Sequence, residues 1–399
     1  MGEITKPLLL DETGKAIVTA LNDIVKSKIE IARVTLEGIA TGVKVGGSNP
    51  NWPRYGVSTA VKDVVDNQGS WVFDSARMIK CRLSPIDHTK FVDGTPWDGV
   101  TGDAFRKFGR MCYIVKTNEY GDTFAWGSDL DLAGENFHVF RENYVGCYKG
   151  HIDSNGKLRS IPRVVTTGNK TMSEFFAAAQ ANNANYGIMD YQDHCKMLLM
   201  HYLYYGTADS GATMGIGLQD GGWNADYYNP TTGQCDSLGD GTGSAPYKSS
   251  GLNQNCLWGV EALAGSQWEF RPGIRFDGVN AIVYEGNVVS NTALGRTFKR
   301  DEGLNLSGSY ITKMALGEYF DMIPVAGGGN ALTYYCDGSW SSSGGQLLVV
   351  GGASDVGSLC GLSAANSHDG FGRANVSIGA RLAFRGNPSD YTEVIGANF

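Results

Sequence analysis

The spacing of apolar residues changes character along the chain. Between residues 13 and 32, Ile17, Leu21, Ile24, Val25 and Ile29 recur every three or four positions behind Thr13, a residue able to cap a helix. That period predicts a helix with one apolar face. Such a face needs a partner: it either oligomerises or docks the chain, or packs back on its own domain. Gly42 to Pro53, GVKVGGSNPNWP, is rich in glycine, asparagine and proline and reads as a linker. From Asp63 to Gly150, short apolar runs at Ser70 to Asp74, Met111 to Lys116 and Thr123 to Gly127 are punctuated by turn residues and predict short strands.

Helical spacing returns at Thr171 to Asn182, where Thr171 and Ser173 precede Glu174 and the apolar Phe175, Phe176 and Ala179. It returns again at Asp190 to Tyr205, with Met197, Leu198, His201, Tyr202 and Tyr205 along one side. After Gly206 no comparable helical period follows. Glycine, asparagine, serine and aspartate loops surround short strands expected at Ala281 to Tyr284, Leu347 to Val350 and Ser377 to Phe384. Helices followed by a long loop-dominated stretch predict an α+β, loop-rich fold, and loops that long are usually functional.

Composition narrows the class. Glycine is 55 of 399 residues, charged residues are 19% and aromatics 11%, which fits a loop-rich globular chain and excludes collagen, coiled coil and solvated tail. The net charge of −8 offers no basic footprint, so neither nucleic acid nor an anionic membrane is an expected partner. No stretch approaches the ~20 apolar residues that span a bilayer, so no membrane insertion is expected. At the start, Leu8 to Leu10 run directly into Asp11 and Glu12, too short an apolar core for a signal peptide, and no secretion is expected. Lys6 stands where a myristoylation signal has serine or threonine. Eight cysteines are scattered without a Cys-x-x-Cys pair, so they are expected to be reduced and buried.

Little in the chain points to catalysis. No Gly-x-Ser-x-Gly elbow is present, Gly215-Ile216-Gly217 lacks the third glycine of a dinucleotide fingerprint, and there is no Walker A lysine. His194 and His201 are seven residues apart on the second expected helix, about 10 Å along its axis and too far for one metal. Asp220, Asp226, Asp236 and Asp240, among glycines and asparagines, are either Ca²⁺ ligands or solvated turns; no other cofactor is expected. The C-terminal stretch from Ala331 to Arg385 opens with Tyr334, Tyr335 and Trp340 and continues through GGASDVGSLCGLSAANSHDGFGRAN to SIGARLAF. Aromatic, serine, glycine and asparagine residues held between strands have the composition of a recognition surface, or of a flexible surface loop.

Several segments resemble a known family. Leu257 to Phe270, LWGVEALAGSQWEF, resembles the G(I/V)EN-x-x-G-x-x-W-E signature of the formylglycine-generating-enzyme type of C-type lectin fold, with Ala262 in place of the usual asparagine. Ile378 to Phe384, IGARLAF, is similar to that family's terminal strand, and Val145 to Gly150, VGCYKG, to its early Y-I-G-x-Y-x-G strand. Met189 to Tyr205 sits where the family places a helix, and Asp93-Gly94-Thr95 through Arg110-Met111 resembles the approach to this fold in phage tail proteins. The resemblance covers roughly residues 85 to 386. It implies a C-type-lectin-like fold over 85–399, after an N-terminal helical segment (1–41) and a linker with a small N-terminal region (42–84).

Two branches share that scaffold. The enzymatic branch uses closely spaced active-site cysteines, whereas Cys336 and Cys360 stand 24 residues apart, so the chain is not expected to be an enzyme. The other branch, the variable proteins of diversity-generating retroelements, includes phage receptor-binding proteins that diversify side chains at the C-terminal end of the fold. Their adenine-directed mutagenesis of asparagine-type codons does not yield Lys, Glu, Gln, Met or Trp. Those types number 57 of 399, so a 33-residue stretch would hold about five; Leu347 to Gly379 holds none. The resemblance thus implies a variable region over about 334–384. Its ligand-binding residues would be Tyr334, Tyr335, Asp337, Ser339, Trp340, Ser354, Asp355, Ser358, Asn366, Ser367, His368, Phe371 and Arg373. Gly351, Gly352 and the Ile378 to Phe384 strand would be scaffold, and Trp258, Trp268 and Phe270 the core anchors. The implied function is receptor binding by a phage tail protein made in the host cytoplasm and carried on the virion. Its partners would be a bacterial surface protein or glycan, other tail proteins and further copies of itself, as a trimer. A structural virion decoration or tail protein without diversification is the alternative.

Overall fold

The computed structural model describes residues 36–399, apart from 48, 133, 285–289, 291 and 301–304; the helix expected over 13–32 lies outside them. The described chain is mostly β with few helices, an α+β, loop-rich arrangement. Strand hydrogen bonds group it around three larger sheets.

The first two sheets are built largely from the N-terminal half. In the five-stranded sheet, Thr41–Gly46 lies between Tyr55–Gly56 and Thr123–Ser128, followed by Met111–Thr117 and His138–Phe140. The 42–53 segment is therefore not a free linker. Val43 and Val45 alternate into the core, and the Trp126 ring covers Gly42 so closely that a Cβ there would sit 2.5 Å from it. The eight-stranded sheet runs Tyr186–Ile188, Leu382–Phe384, Asn143–Gly146, Asp103–Phe108, Ser70–Asp74, Ile79–Ser84 and Thr392–Glu393, with Asp87–Phe91 paired to Ile79–Ser84. Strands on both sides of the expected division at residues 84 and 85 share this sheet.

Two local capping boxes start the main helices. Thr171 and Glu174 close the first turn of Met172–Gln180, and Asp190 and Asp193 that of Tyr191–Tyr205, which ends at Gly206 in the left-handed region; each box satisfies otherwise orphaned backbone donors. The second helix is buried nearly all round and not along one side only: its charged Asp193 and Lys196 lie inside as well. Lys196 is tolerated there because its ammonium donates to the Gly109 and Arg141 carbonyls and to Asn143 Oδ1 at 2.7 to 2.8 Å.

The seven-stranded sheet carries the C-terminal region, in the order Met322–Gly327, Ser307–Leu316, Gly338–Ser341, Gly361–Ser367, Val349–Gly351, Trp268–Phe270 and Ile378–Gly379. It separates two apolar clusters, with Val350 and Ala365 facing one and Trp268, Phe270 and Val349 the other, as strand alternation requires. The stretch expected as one strand from Ser377 to Phe384 is two. Ile378–Gly379 pairs with Trp268–Phe270, and Leu382–Phe384 enters the eight-stranded sheet. The break falls at Ala380 and Arg381, and it lets one segment join two sheets.

Candidate functional site

What fixes that break is a buried ionic hub. Glu269, fully buried in the middle of Trp268–Phe270, accepts from Lys149 Nζ at 2.7 Å, Arg271 Nη2 at 2.9 Å and Arg381 Nη2 at 2.7 Å, all four side chains being at most 1% exposed. Burial alone would raise its pKa, but the three cations hold it well below the usual carboxylate range. Arg381 also donates to the carbonyls of Gly146 and Glu261 at 3.0 and 2.7 Å. The hub therefore ties the WEF, IGARLAF and VGCYKG segments into one unit. Ala262 next to it has φ +59°, a region in which asparagine is several-fold enriched among non-glycine residues.

On this frame the C-terminal segment divides into strands and loops. Gly338–Ser341 runs parallel to Gly361–Ser367, with Trp340 opposite Asn366 and Ser341 opposite Ser367. The 368–377 segment leaves the Ser367 end and arrives at Ile378 beside Trp268, so it crosses back over the face that holds Trp268. Trp340 meets Trp268 edge-on at 5.5 Å and 89°. Half-buried Trp340, Val356 and Phe371 all pack against the same cluster. Asp355, Ser358, His368 and Arg373 are exposed, and Asn366 is half-buried. The loops therefore carry half-buried aromatic and aliphatic residues as well as exposed polar ones.

Five of the thirteen expected ligand residues lie elsewhere, because strand and loop geometry turns them inward. Tyr335 is buried and donates to the Val45 carbonyl at 2.6 Å, and Asp337 is buried and accepts from Ser363 N at 2.8 Å; burial pushes the Asp337 carboxyl well above its usual range. Ser339, Ser354 and Ser367 are buried as well, Ser367 receiving Arg300 Nη1 at 2.8 Å and Ser354 bonding to the Gly222 carbonyl at 2.9 Å. Tyr334 is half-buried, with its hydroxyl on Asn49 at 2.5 Å, toward the five-stranded sheet. Gly351 and Gly352 have φ of +94° and +86°, and a Cβ would strike the Leu263 carbonyl and the Cys360 sulfur.

The structure adds a neighbour that composition did not single out. Ser354 and Gly222 exchange backbone and side-chain bonds at 2.9 Å, and Gly357 N donates to Gln219 O. The 219–224 turn therefore flanks Asp355. It carries Trp223, 59% exposed and tilted at 39° against the Tyr228 ring at 4.8 Å. A lone tryptophan in a glycine and asparagine turn was the available signal.

The four aspartates considered for Ca²⁺ are not gathered. Asp236 accepts from the Tyr148 hydroxyl at 2.6 Å, Asp240 lies against Ser70, His88 and Arg106, and Asp220 and Asp226 are exposed. Among the described residues no group of three or more His, Cys, Asp or Glu could hold a metal. His194 and His201 are buried, and burial lowers both to about 3. All eight cysteines are free thiols. Burial raises Cys336 to about 12 and Cys360 well above its usual value, which keeps both protonated and poorly nucleophilic at neutral pH. No family model and no curated protein matches the chain.

Proposed function

We propose that the chain is a non-enzymatic receptor-binding protein with a C-type-lectin-like fold of the formylglycine-generating-enzyme type. On this reading it binds a bacterial surface ligand from a phage tail through a diversified surface. One observation carries the proposal. The 347–379 stretch, free of Lys, Glu, Gln, Met and Trp, supplies inner strands of a sheet, while its loops leave Asp355, Ser358, His368 and Arg373 exposed and Phe371 half-buried. Scaffold and variable surface are thereby separated, as a binder that must tolerate many side chains requires. Aromatic residues among adaptable polar ones fit a macromolecular partner better than a small substrate.

Competition for phage adsorption tests it. Purified protein should block adsorption to host cells. The His368→Ala, Arg373→Ala double variant should lose the block while its unfolding free energy stays within about 1 kcal/mol of the parent, since both side chains are exposed. Absence of competition by the parent protein, or equal competition by the variant, would count against the reading.

A further inference from the structure

A recess of about 320 Å³ opens where the C-terminal end of the Tyr191–Tyr205 helix meets the turn between Asn253–Leu257 and Val260–Glu261. None of its lining residues lies within 334–384, so it is separate from the surface proposed above. One wall is aromatic. The Tyr205 ring is parallel to that of Trp258 at 5.7 Å and 11°, and the Tyr204 ring meets Trp258 edge-on at 5.6 Å.

The polar wall holds a buried guanidinium that the protein pairs only in part. Arg106 is 1% exposed; its Nη2 donates to the Val65 carbonyl at 2.6 Å, but Nε has no hydrogen-bond partner. Its Nη1 stands 3.1 Å from Asp240 without a well-aligned bond. The Trp258 indole N–H, in a residue 3% exposed, has only a poorly aligned approach to the Tyr205 hydroxyl. Each buried donor left unpaired costs about 1–3 kcal/mol. Trp258 also has φ +52°, a strained conformation for a bulky side chain of the kind that clusters at ligand sites. A second hollow of about 210 Å³ beside His138 is aromatic too, but among the described residues its lining holds no buried donor without a partner.

Charge selects the ligand class. Asp66 and Asp240 line the recess with Arg106, so an anion would face two carboxylates and a cation would face a buried guanidinium. A neutral molecule with a flat C–H face for the rings, and neighbouring hydroxyls for Arg106, Asp66, Asp240 and Thr242, meets neither penalty. The volume lies at the lower end of the roughly 300–1,000 Å³ range of small-molecule sites. We infer that this recess binds a single neutral sugar residue.

Saturation-transfer NMR of the full chain tests it, with the methyl glycosides of glucose, galactose and N-acetylglucosamine as probes and benzoate as a planar anion. At least one glycoside should give a saturable signal with Kd on the order of 1 mM. Tyr204→Ala should weaken it roughly ten-fold by removing an aromatic contact, and Thr242→Val should weaken it as well. Both positions are half-exposed, but Tyr204 donates to Asp66 and Thr242 accepts from Trp258 N and the Tyr205 hydroxyl, so binding is compared only for variants whose melting is unchanged. Absence of a signal from all three glycosides, a signal indifferent to both variants, or saturable benzoate binding that both variants abolish would each overturn the inference. The adsorption experiment reads other residues, so either proposal can fail alone.

Discussion

Glu269 is a single anion set among three buried cations, and the cost of removing it follows from that. Glu269→Gln would leave Lys149, Arg271 and Arg381 uncompensated, and breaking a buried ion pair typically costs 3–5 kcal/mol; urea unfolding of the variant should show a loss of about that size. Because Glu269 is held below its usual value of 4.5, its contribution is complete above that pH. It is lost only as pH falls through the lower folded-state value. Glu261 behaves in the opposite sense. Its carboxyl accepts from Gly233 N and Cys235 N at 3.0 and 2.8 Å, yet burial, with Asp236 nearby, pushes it up to about 8. Between its usual 4.5 and about 8 the folded chain keeps a proton that the unfolded chain has released. This group therefore makes stability fall as pH rises, by up to about 1.4 kcal/mol per pH unit. Glu261→Gln should remove that slope, so the variant should gain on the parent in urea unfolding from about pH 5 to about pH 8. Lys149 and Lys196, lowered by burial to about 8 and about 7, add slopes common to both proteins that cancel in the difference. Parallel pH profiles would contradict the assignment.

At the scale of elements, what was legible in the sequence is what depends on neighbours in sequence. Both main helices are readable because their capping boxes are local, and Ser70–Asp74 is readable to the residue from its apolar run and flanking turns. Thr41–Gly46 was not, because its glycines look like a linker until Trp126, far along the chain, is laid over Gly42. Gly42→Ala tests this directly: overpacking against that ring should cost about 1–3 kcal/mol in thermal unfolding, whereas a linker glycine would accept alanine without loss. The break at Ala380 and Arg381 was equally hidden, since Arg381 is drawn inward by Glu269 and by the Gly146 carbonyl, each more than a hundred positions away. The same limit applies to the candidate surface. Its aromatic, serine and asparagine composition was visible, but the inward turn of Tyr335, Asp337, Ser339, Ser354 and Ser367 is set by strand pairing and loop contacts that no local pattern encodes.

Over the whole molecule, stability and the proposed variability fall to different parts. The ionic hub, the Trp268 and Phe270 anchors and the left-handed glycines 351 and 352 hold the seven-stranded sheet from outside the 354–375 segment, whose exposed Ser358 adds a bond to Tyr310 of that sheet. If the surface is diversified as proposed, substitutions are constrained by this division and not by the template alone. Buried Ser354 and Ser367 hold the Gly222 turn and Arg300, and replacing either with a larger side chain would overpack the site by about 1–3 kcal/mol. Deep sequencing of the gene and its flanking DNA in a carrier population should therefore find substitutions at codons 355, 358, 366, 368, 371 and 373, opposite adenines of a near-copy repeat. Codons 337, 339, 354 and 367 should stay constant. Substitutions spread evenly over buried and exposed codons would mean that the sheet does not govern tolerance. An invariant region with no repeat nearby would remove the argument for a diversified binder and put the structural virion protein ahead of it.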